Sequence, residues 1–346
     1  MLFLPEAAGP HDPVPVTIER RAGSIRRTSN IDSARPDGLR GDVAVSARAR
    51  DLRTALDGTS TVVGEVELRA RIDGRHQTLR SIVATPARPE LEGLLGCLVG
   101  PGFRSKVAQI VPEERDAGTL LHLLLDDLPG ATLVSGYAVQ RARALDRSSP
   151  PDASNAETPD TARILLAQDD LCAGWAHDAT MMASIRSTGV IPVPMGPLAP
   201  VLERSDDQLG WHAIEPLMPH AMRRRRRLDV VAPVDPETAH HLDVHFRDSH
   251  IDDAGVESVV HEYSVTGRAD IAGGRVVDVV AEARVLPWME CPGALASADR
   301  LAGMPITELR TRVRRELTGR SSCTHLNDTL RSLGDVTVLV EELAEG

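Results

Sequence analysis

Residues 258–285 read SVVHEYSVTGRADIAGGRVVDVVAEARV, two strand-like runs on either side of Gly273-Gly274. β-Branched residues recur on both sides of the glycine pair, which is typical of an antiparallel hairpin. An earlier stretch has the same organisation, with strand-like residues 61–72 and 77–85 on either side of Asp73-Gly74. Together with the strand-like runs 43–51 and 242–247 that precede them, these stretches predict two antiparallel β-meanders.

The two meanders belong to an internal repeat. Similar residues recur at a single offset of 197: Ile31-Asp32 and Leu228-Asp229, Arg50-Asp51 and Arg247-Asp248, Val62-Val63 and Val259-Val260, Glu65 and Glu262. The match continues further along the chain, where Leu98-x-Gly100 corresponds to Leu301-x-Gly303 and Thr119-x-Leu121 corresponds to Thr324-x-Leu326. A nearly constant offset over so many pairs predicts that one domain has been duplicated.

Each copy changes from strand to helical spacing along its length. The helical segments are residues 91–99, 103–111 and 119–128 in the first copy, and 293–302, 306–317 and 324–333 in the second. Strands followed by helices predict an α+β fold. We therefore expect two tandem copies of an antiparallel β-meander followed by helices, forming a pseudo-two-fold dimer within one chain.

This organisation predicts four parts. They are a flexible lead-in (1–24), a degenerate first copy (25–130), a connecting segment (131–222) and a site-bearing second copy (223–346). Within the connecting segment, residues 148–155 have the composition of a mobile linker and residues 164–185 have helical spacing.

Composition restricts the class of partner. A net charge of -11 argues against a nucleic-acid or anionic-membrane partner, and 2% aromatic residues do not favour base stacking. We interpret the one basic run, Arg223–Arg227, as a solvated strand edge. The chain has no apolar stretch of about 20 residues and its start lacks the features of a signal peptide, so we expect a cytoplasmic monomer with reduced thiols.

Only the second copy carries cysteine and histidine at three matched positions. The pairs are His261 and Gly64, Cys323 and Gly118, and His325 and Leu120. Cys291, in Glu290-Cys291-Pro292, has no counterpart in the first copy. Thiolate and imidazole groups are the ligands that zinc and iron prefer. We therefore predict one Zn or Fe site in the second copy, acting on a small molecule, with the ligands His261, Cys291, Cys323 and His325.

Cys323 is also a candidate for metal-free chemistry. Ser321, Ser322 and Thr324 are good N-cap residues, so Cys323 is expected at a helix start, where backbone N–H groups make a thiol easier to ionise. Cys323 and His325 can both point inward only if the helix begins between them, because two residues turn a helix by about 200°.

Three functions are therefore open. They are a metalloprotein, a metal-free enzyme in which Cys323 is the nucleophile or proton carrier, and a non-catalytic binding or regulatory module. Whether the chain is an enzyme, and which reaction and substrate it would serve, stays open.

Several other residues are weaker candidates. Cys97 lies in an apolar run and is expected in the core, whereas Cys172, Trp175, His177 and Asp178 fall at helical spacings that could gather part of a pocket. We interpret His240-His241, His245 and His250 as exposed histidines.

The segments Glu290-Cys291-Pro292, Leu301-Ala302-Gly303 and Ser322-Cys323-Thr324-His325-Leu326 resemble the bacterial family catalogued as domain of unknown function 2889. In that family a motif like Val260-His261-Glu262 precedes a Cys-Pro, and a Gly-Cys-Thr-His-Leu segment opens a later helix. The resemblance covers residues 223–334, and Leu171-Cys172-Ala173-Gly174-Trp175 looks like a further segment of the family.

The order of parts is also distantly similar to iron–sulfur scaffold proteins of the NifU and IscU kind. That resemblance implies that Cys291, Cys323 and His325 are ligands. Those scaffolds carry a further cysteine in an early loop, where this chain offers His261 on a strand, so the comparison favours a mononuclear site.

Overall fold

The computed structural model of the chain describes residues 5–145, 168–188, 191–234 and 239–345. Its centre is one sheet of eight strands in the order β4-β3-β2-β1-β5-β6-β7-β8, in which every neighbouring pair is antiparallel. The strands are β1 (Ser24–Ala34), β2 (Val43–Thr54), β3 (Ser60–Ile72), β4 (Leu79–Thr85), β5 (Met222–Val231), β6 (His240–Ile251), β7 (Glu257–Asp270) and β8 (Arg275–Val285). The predicted α+β class is confirmed.

The two halves of the sheet have irregularities at matching places. A bulge between β2 and β3 follows Asp51, and a bulge between β6 and β7 follows Asp248. A second shift falls between Arg71 and Ile72 in β3, and its equivalent falls between Arg268 and Ala269 in β7. Both pairs of positions differ by 197 residues, the offset of the sequence repeat.

Strands β1 and β5 join the two halves at the middle of the sheet. Ion pairs cross this seam in both directions: Arg26 binds Asp229 with N···O distances of 2.6 and 2.8 Å, and Arg223 binds Asp32 at 2.8 and 2.7 Å. Arg26 and Arg223 differ by 197 residues, as do Asp32 and Asp229. The two ion pairs across the seam are therefore related by the same offset of 197 residues.

The interpretation of Arg223–Arg227 as a solvated strand edge is wrong. These arginines lie on β5, a central strand covered on both faces, and all five are buried. Each has a carboxylate partner: Asp32 for Arg223, Asp248 and Asp328 for Arg224, Glu203 for Arg225, Asp127 for Arg226, and Asp229 and Asp243 for Arg227. Arginine can be buried here because a carboxylate neutralises its charge, although the Nε atoms of Arg225, Arg226 and Arg227 have no hydrogen-bond partner among the described residues.

Helices cover one face of the sheet. They are α1 (Phe103–Ile110), α2 (Pro112–Asp116), α3 (Leu120–Leu145), α4 (Thr180–Thr188), α5 (Leu309–Glu316), α6 (Thr324–Ser332) and α7 (Val336–Ala344). Shorter 3₁₀ segments include Pro89–Leu94 and Cys291–Leu301. Separate apolar clusters fill the two halves, one around Leu68 and Leu124 and the other around Phe246 and Leu326.

The opposite face of the sheet is covered by irregular chain. The backbone at Pro10, Val14 and Thr17 hydrogen-bonds to neighbouring elements, so the described part of the predicted flexible lead-in is held against the protein. Residues 200–215 lie over the same face, where Trp211 stacks on the guanidinium of Arg225 at 4.1 Å. His245 and His250, which we expected to be exposed, are buried on β6.

The connecting segment differs from its prediction. Residues 148–155, the predicted linker, lie outside the described residues. Of the helix expected over 164–185, only residues 180–185 are confirmed as α-helical in its described part, because residues 168–172 form turns and bends, residues 173–175 form a 3₁₀ turn and α4 begins at Thr180. Within the described ranges, every helix is too short or too polar to cross a bilayer.

Candidate metal and thiol site

A row of three polar side chains crosses strands β5, β6 and β7. Arg224 is the cross-strand partner of Asp248, and Asp248 is the partner of His261. Residues directly opposite one another in an antiparallel sheet point to the same face. The row therefore faces the helices, next to the bulge that follows Asp248.

The start of α6 brings His325 onto this row. Cys323 is the N-cap residue and the helix begins at Thr324, as predicted, so Cys323 and His325 both point inward. The rings of His261 and His325 are stacked, with centroids 3.7 Å apart and planes at 18°. Asp248 Oδ2 lies 3.8 Å from His261 Nδ1 and 3.6 Å from His325 Nε2.

Burial keeps both imidazoles neutral. It lowers the pKa of His261 well below 6.5 and lowers the pKa of His325 to about 3, helped by the positive charge of Arg224 nearby. Among the described residues, His261 Nδ1 has no hydrogen-bond partner. A neutral imidazole with a free lone pair in a buried site is the form that binds a metal ion.

Arg224 fixes the carboxylate in this cluster. Its Nε and Nη2 atoms bind the two oxygens of Asp248 at 2.8 and 3.0 Å, and its Nη1 binds Asp328 at 2.9 Å. A bidentate pair of this kind sets the orientation of a carboxylate as well as neutralising it. These two carboxylates raise the pKa of Arg224 above its ordinary value despite burial, so the guanidinium stays charged.

Cys323 lies beside the His325 ring, on the side of the ring opposite Asp248. Its Sγ atom is 3.8 Å from His325 Nδ1, whereas Asp248 approaches Nε2 of the same ring. The hydroxyl of Tyr263 and the backbone N–H groups of His325 and Leu326 act to lower the pKa of this thiol.

We expected the helix start to make the Cys323 thiol easier to ionise. This expectation is wrong, because the surroundings of the thiol raise its pKa overall. The N–H donors do lower its pKa, but burial outweighs them and raises the pKa above 9.0. A nucleophilic thiolate at neutral pH is therefore disfavoured.

The other cysteines fall in two places. Cys291 opens the 3₁₀ segment after β8 and is buried near Cys323, whose charge raises the pKa of Cys291 in addition to the effect of burial. Cys172 joins them from the connecting segment, and burial raises its pKa to about 12. Cys97 packs against the apolar cluster of the first half, as expected.

The predicted ligands are thus only partly brought together. Among the described residues, one group of at least three ligand-type side chains has all its ligand atoms within 4.8 Å of one another, namely Asp248, His261 and His325. Ligation by Cys291 and Cys323 stays a prediction. Sequence reasoning missed Asp248, although the match of Arg247-Asp248 to Arg50-Asp51 was visible in the repeat.

The first half has the arginine–carboxylate pair of this cluster but not its histidines. Arg27 binds Asp51 at 2.8 and 2.7 Å, as Arg224 binds Asp248. Gly64 stands at the position of His261, and a Cβ atom built on it would lie 3.4 Å from Leu120, which stands at the position of His325. An apolar contact therefore replaces the stacked imidazoles.

In the first half, Asp51 instead faces a carboxyl group from the C-terminal helix. Glu342 on α7 hydrogen-bonds to Asp51, and burial together with the Asp51 charge raises the pKa of Glu342 from 4.5 to about 7. Arg27 partly opposes this rise. The two carboxyl groups can share one proton, as close carboxyl pairs do.

We expect α7 to loosen as this proton is lost. Because the folded pKa of Glu342 lies above its unfolded value, its stabilising contribution is complete below pH 4.5 and is lost as the pH rises through 7. Amide hydrogen exchange, corrected for intrinsic rates, should therefore quicken in α7 relative to α6 over this range. Glu342→Gln should remove the pH dependence, and an unchanged dependence in that variant would rule out this origin.

Comparison with known proteins finds a match to one family model, in the second half of the chain. Residues 222–339 match the family model described as "Protein of unknown function (DUF2889)", which supports the resemblance seen in the sequence. No curated protein and no solved structure matches the chain. The matched segment contains Asp248, His261, Cys291, Cys323 and His325, and these comparisons give no support to the likeness with iron–sulfur scaffolds.

Proposed function

We propose that this chain is a metalloprotein in which Asp248, His261 and His325 bind one zinc or ferrous ion. The observation that carries the proposal is the convergence of one carboxylate and two neutral imidazoles within 4.8 Å. Two histidines and one carboxylate are the ligands of many catalytic zinc sites and of non-haem iron sites.

The spacing of these groups supports a shared ion. Metal–ligand bonds of about 2.1 Å at tetrahedral angles place ligand atoms about 3.4 Å apart. The two distances from Asp248 Oδ2, 3.8 Å to His261 and 3.6 Å to His325, are close to this value, and binding would also require the stacked rings to turn so that a nitrogen lone pair of each points at the ion. The bidentate contact with Arg224 holds the carboxylate in place for this movement.

Three ligands leave a coordination position for a small molecule. A metal ion with such an open position polarises a carbonyl or lowers the pKa of a bound water. The chain's own part would be to hold the Asp248 carboxylate through Arg224 and to restrict water, because the side chains of His261 and His325 are only 13% and 14% exposed. Small-molecule chemistry of this kind, in a monomer, is the function that the site supports best.

The first half would be a structural partner derived from the same ancestral domain. The shared offset of 197, the matching bulges and the reciprocal ion pairs across the β1–β5 seam support an internal duplication with pseudo-two-fold symmetry. On this proposal the first copy has kept the Arg27–Asp51 pair because it holds the fold, while its metal ligands are replaced.

Elemental analysis tests the metal proposal. Protein purified anaerobically without an affinity tag or chelator should contain close to one zinc or iron per chain, and Cys97→Ser should retain it. Cys291→Ser and Cys323→Ser will show whether the thiols complete the site: loss of metal in both makes them ligands, and retention leaves the histidines and Asp248. A chain that stays free of metal after reconstitution with Zn²⁺ or Fe²⁺ contradicts the proposal.

A further inference from the structure

A cavity of about 250 Å³ lies between the connecting segment and the chain that follows β8. Asp248, His261 and His325 are absent from its lining, so it is distinct from the proposed metal site. At about 30 Å³ for each water molecule, this space would hold about eight waters, which limits an occupant to roughly eight non-hydrogen atoms. The cavity therefore suits a small molecule rather than a large cofactor.

One wall of the cavity has small apolar side chains. It consists of three buried alanines, Ala173, Ala176 and Ala179. Gly293 faces the same space, because a Cβ atom built on it would meet no atom of the described residues within 4 Å apart from its chain neighbours. The sequence had grouped Cys172, Trp175 and His177 with Asp178 as parts of a pocket, and of these Asp178 belongs to the lining. The wall thus accepts a short apolar group.

Glu290 contributes to the cavity a carboxylate that has one unused oxygen. Its Oε1 atom accepts hydrogen bonds from the backbone N–H of Thr180 at 2.9 Å and from the Thr180 hydroxyl at 2.7 Å. Its Oε2 atom is shielded from water and has no partner among the described residues. A carboxylate oxygen in this state costs free energy, which a donor on a ligand would recover, and a charged donor such as an ammonium group would recover most.

Arg320 places a positive charge at the same cavity. Its Nη2 pairs with Asp178, and its Nε lies 3.6 Å from Asp170 Oδ1. These three side chains are about half exposed or more, so the ion pairs between them are weak. A guanidinium has five N–H donors and pairs well with a planar carboxylate, so Arg320 can bind the carboxylate of a ligand.

We propose that this cavity binds a free α-amino acid with a short apolar side chain, such as valine. The ammonium group donates to Glu290, the carboxylate pairs with Arg320, and the side chain packs on the three alanines. Each part of the ligand thus meets a group of matching chemistry in the lining. The site goes beyond the proposed metal centre and does not depend on it, so the amino acid should bind whether or not a metal ion is present.

The first test is a calorimetric titration of the full chain with L-valine, N-acetyl-L-valine and L-valinamide. We expect one L-valine per chain with a Kd below about 1 mM, a modest affinity for a ligand of this size. The acetyl derivative lacks the ammonium group and the amide lacks the carboxylate, so each should bind at least about 10-fold more weakly. Equal affinity for the three compounds, or no binding of L-valine, overturns the proposal. Binding of L-valine only when metal is present would place the amino acid on the metal ion and would also overturn it.

Variants then locate the bound amino acid. Gly293→Leu fills the cavity with a side chain and should abolish binding of L-valine, with an unchanged circular dichroism spectrum. The matched control is Gly136→Leu on α3, because Gly136 also has open space at its Cβ position among the described residues, and this variant should bind as the wild type does. Glu290→Gln can still accept the Thr180 hydrogen bonds but loses the charge, so it should weaken binding by about 10- to 100-fold. Binding that survives Gly293→Leu places the amino acid elsewhere and refutes the site.

Discussion

Replacing His261 by glycine and His325 by leucine together should remove the proposed metal ion and leave the fold in place. These are the residues that the first half carries at the matching positions, Gly64 and Leu120, where they pack at ordinary van der Waals distance. The double variant should therefore avoid the buried, unpaired polar group that a single histidine replacement would leave. We expect the metal content to fall from about one ion per chain to near none, with an unchanged circular dichroism spectrum.

The reverse exchange is the matched control. Gly64→His with Leu120→His places two imidazoles beside Asp51, which Arg27 holds in the same bidentate pair. If an arginine-bound carboxylate and two histidines are sufficient for metal binding, this variant gains a second zinc or iron per chain. Retention of metal in the first variant, measured by elemental analysis after reconstitution, would show that the ion binds elsewhere.

Removing the Arg224 guanidinium should cost about 3–5 kcal/mol of the free energy of unfolding, the range measured when one partner of a buried ion pair is deleted. Arg224→Ala leaves Asp248 buried without its bidentate partner, whereas Asp328 keeps Arg331 and Arg104, and both carboxylates are almost fully shielded from water. Urea denaturation followed by circular dichroism measures the loss.

An exposed arginine supplies the comparison. Arg268 pairs with Asp278 on the surface, with both side chains about half exposed, so Arg268→Ala should change the free energy of unfolding by about 1 kcal/mol or less. Similar losses in Arg224→Ala and Arg268→Ala would contradict the view that burial of the charge makes the Arg224 contacts important.

Much of the fold could be predicted from local sequence. Alternating β-branched residues on either side of Asp73-Gly74 and Gly273-Gly274 indicated the hairpins β3–β4 and β7–β8, which the structure contains. The pattern of Arg223–Arg227 was misinterpreted because charged runs are usually solvated. The carboxylates that allow this strand to be central come from β1, β6, α3, α6 and the covering chain, which no local pattern links to it.

For the candidate site as well, some residues could be predicted from the sequence and one could not. The sequence marked His261, Cys323 and His325 because the matched positions of the first half hold other residue types, and it marked Cys291 because that residue has no counterpart there. It passed over Asp248, because the matching Asp51 gave that position the appearance of a structural residue shared by both halves.

By itself, the sequence determined the α+β class, and it predicted a repeat and a second half that carries the candidate ligands, because periodicity and residue type are local properties. Only the tertiary structure decided which ligands meet. Asp248 and His261 become neighbours through the β6–β7 register, and His325 reaches them because α6 begins at Thr324. Strand register and helix start are set by packing between segments far apart in the chain, and a metal site needs its ligand atoms placed to within a few tenths of an ångström.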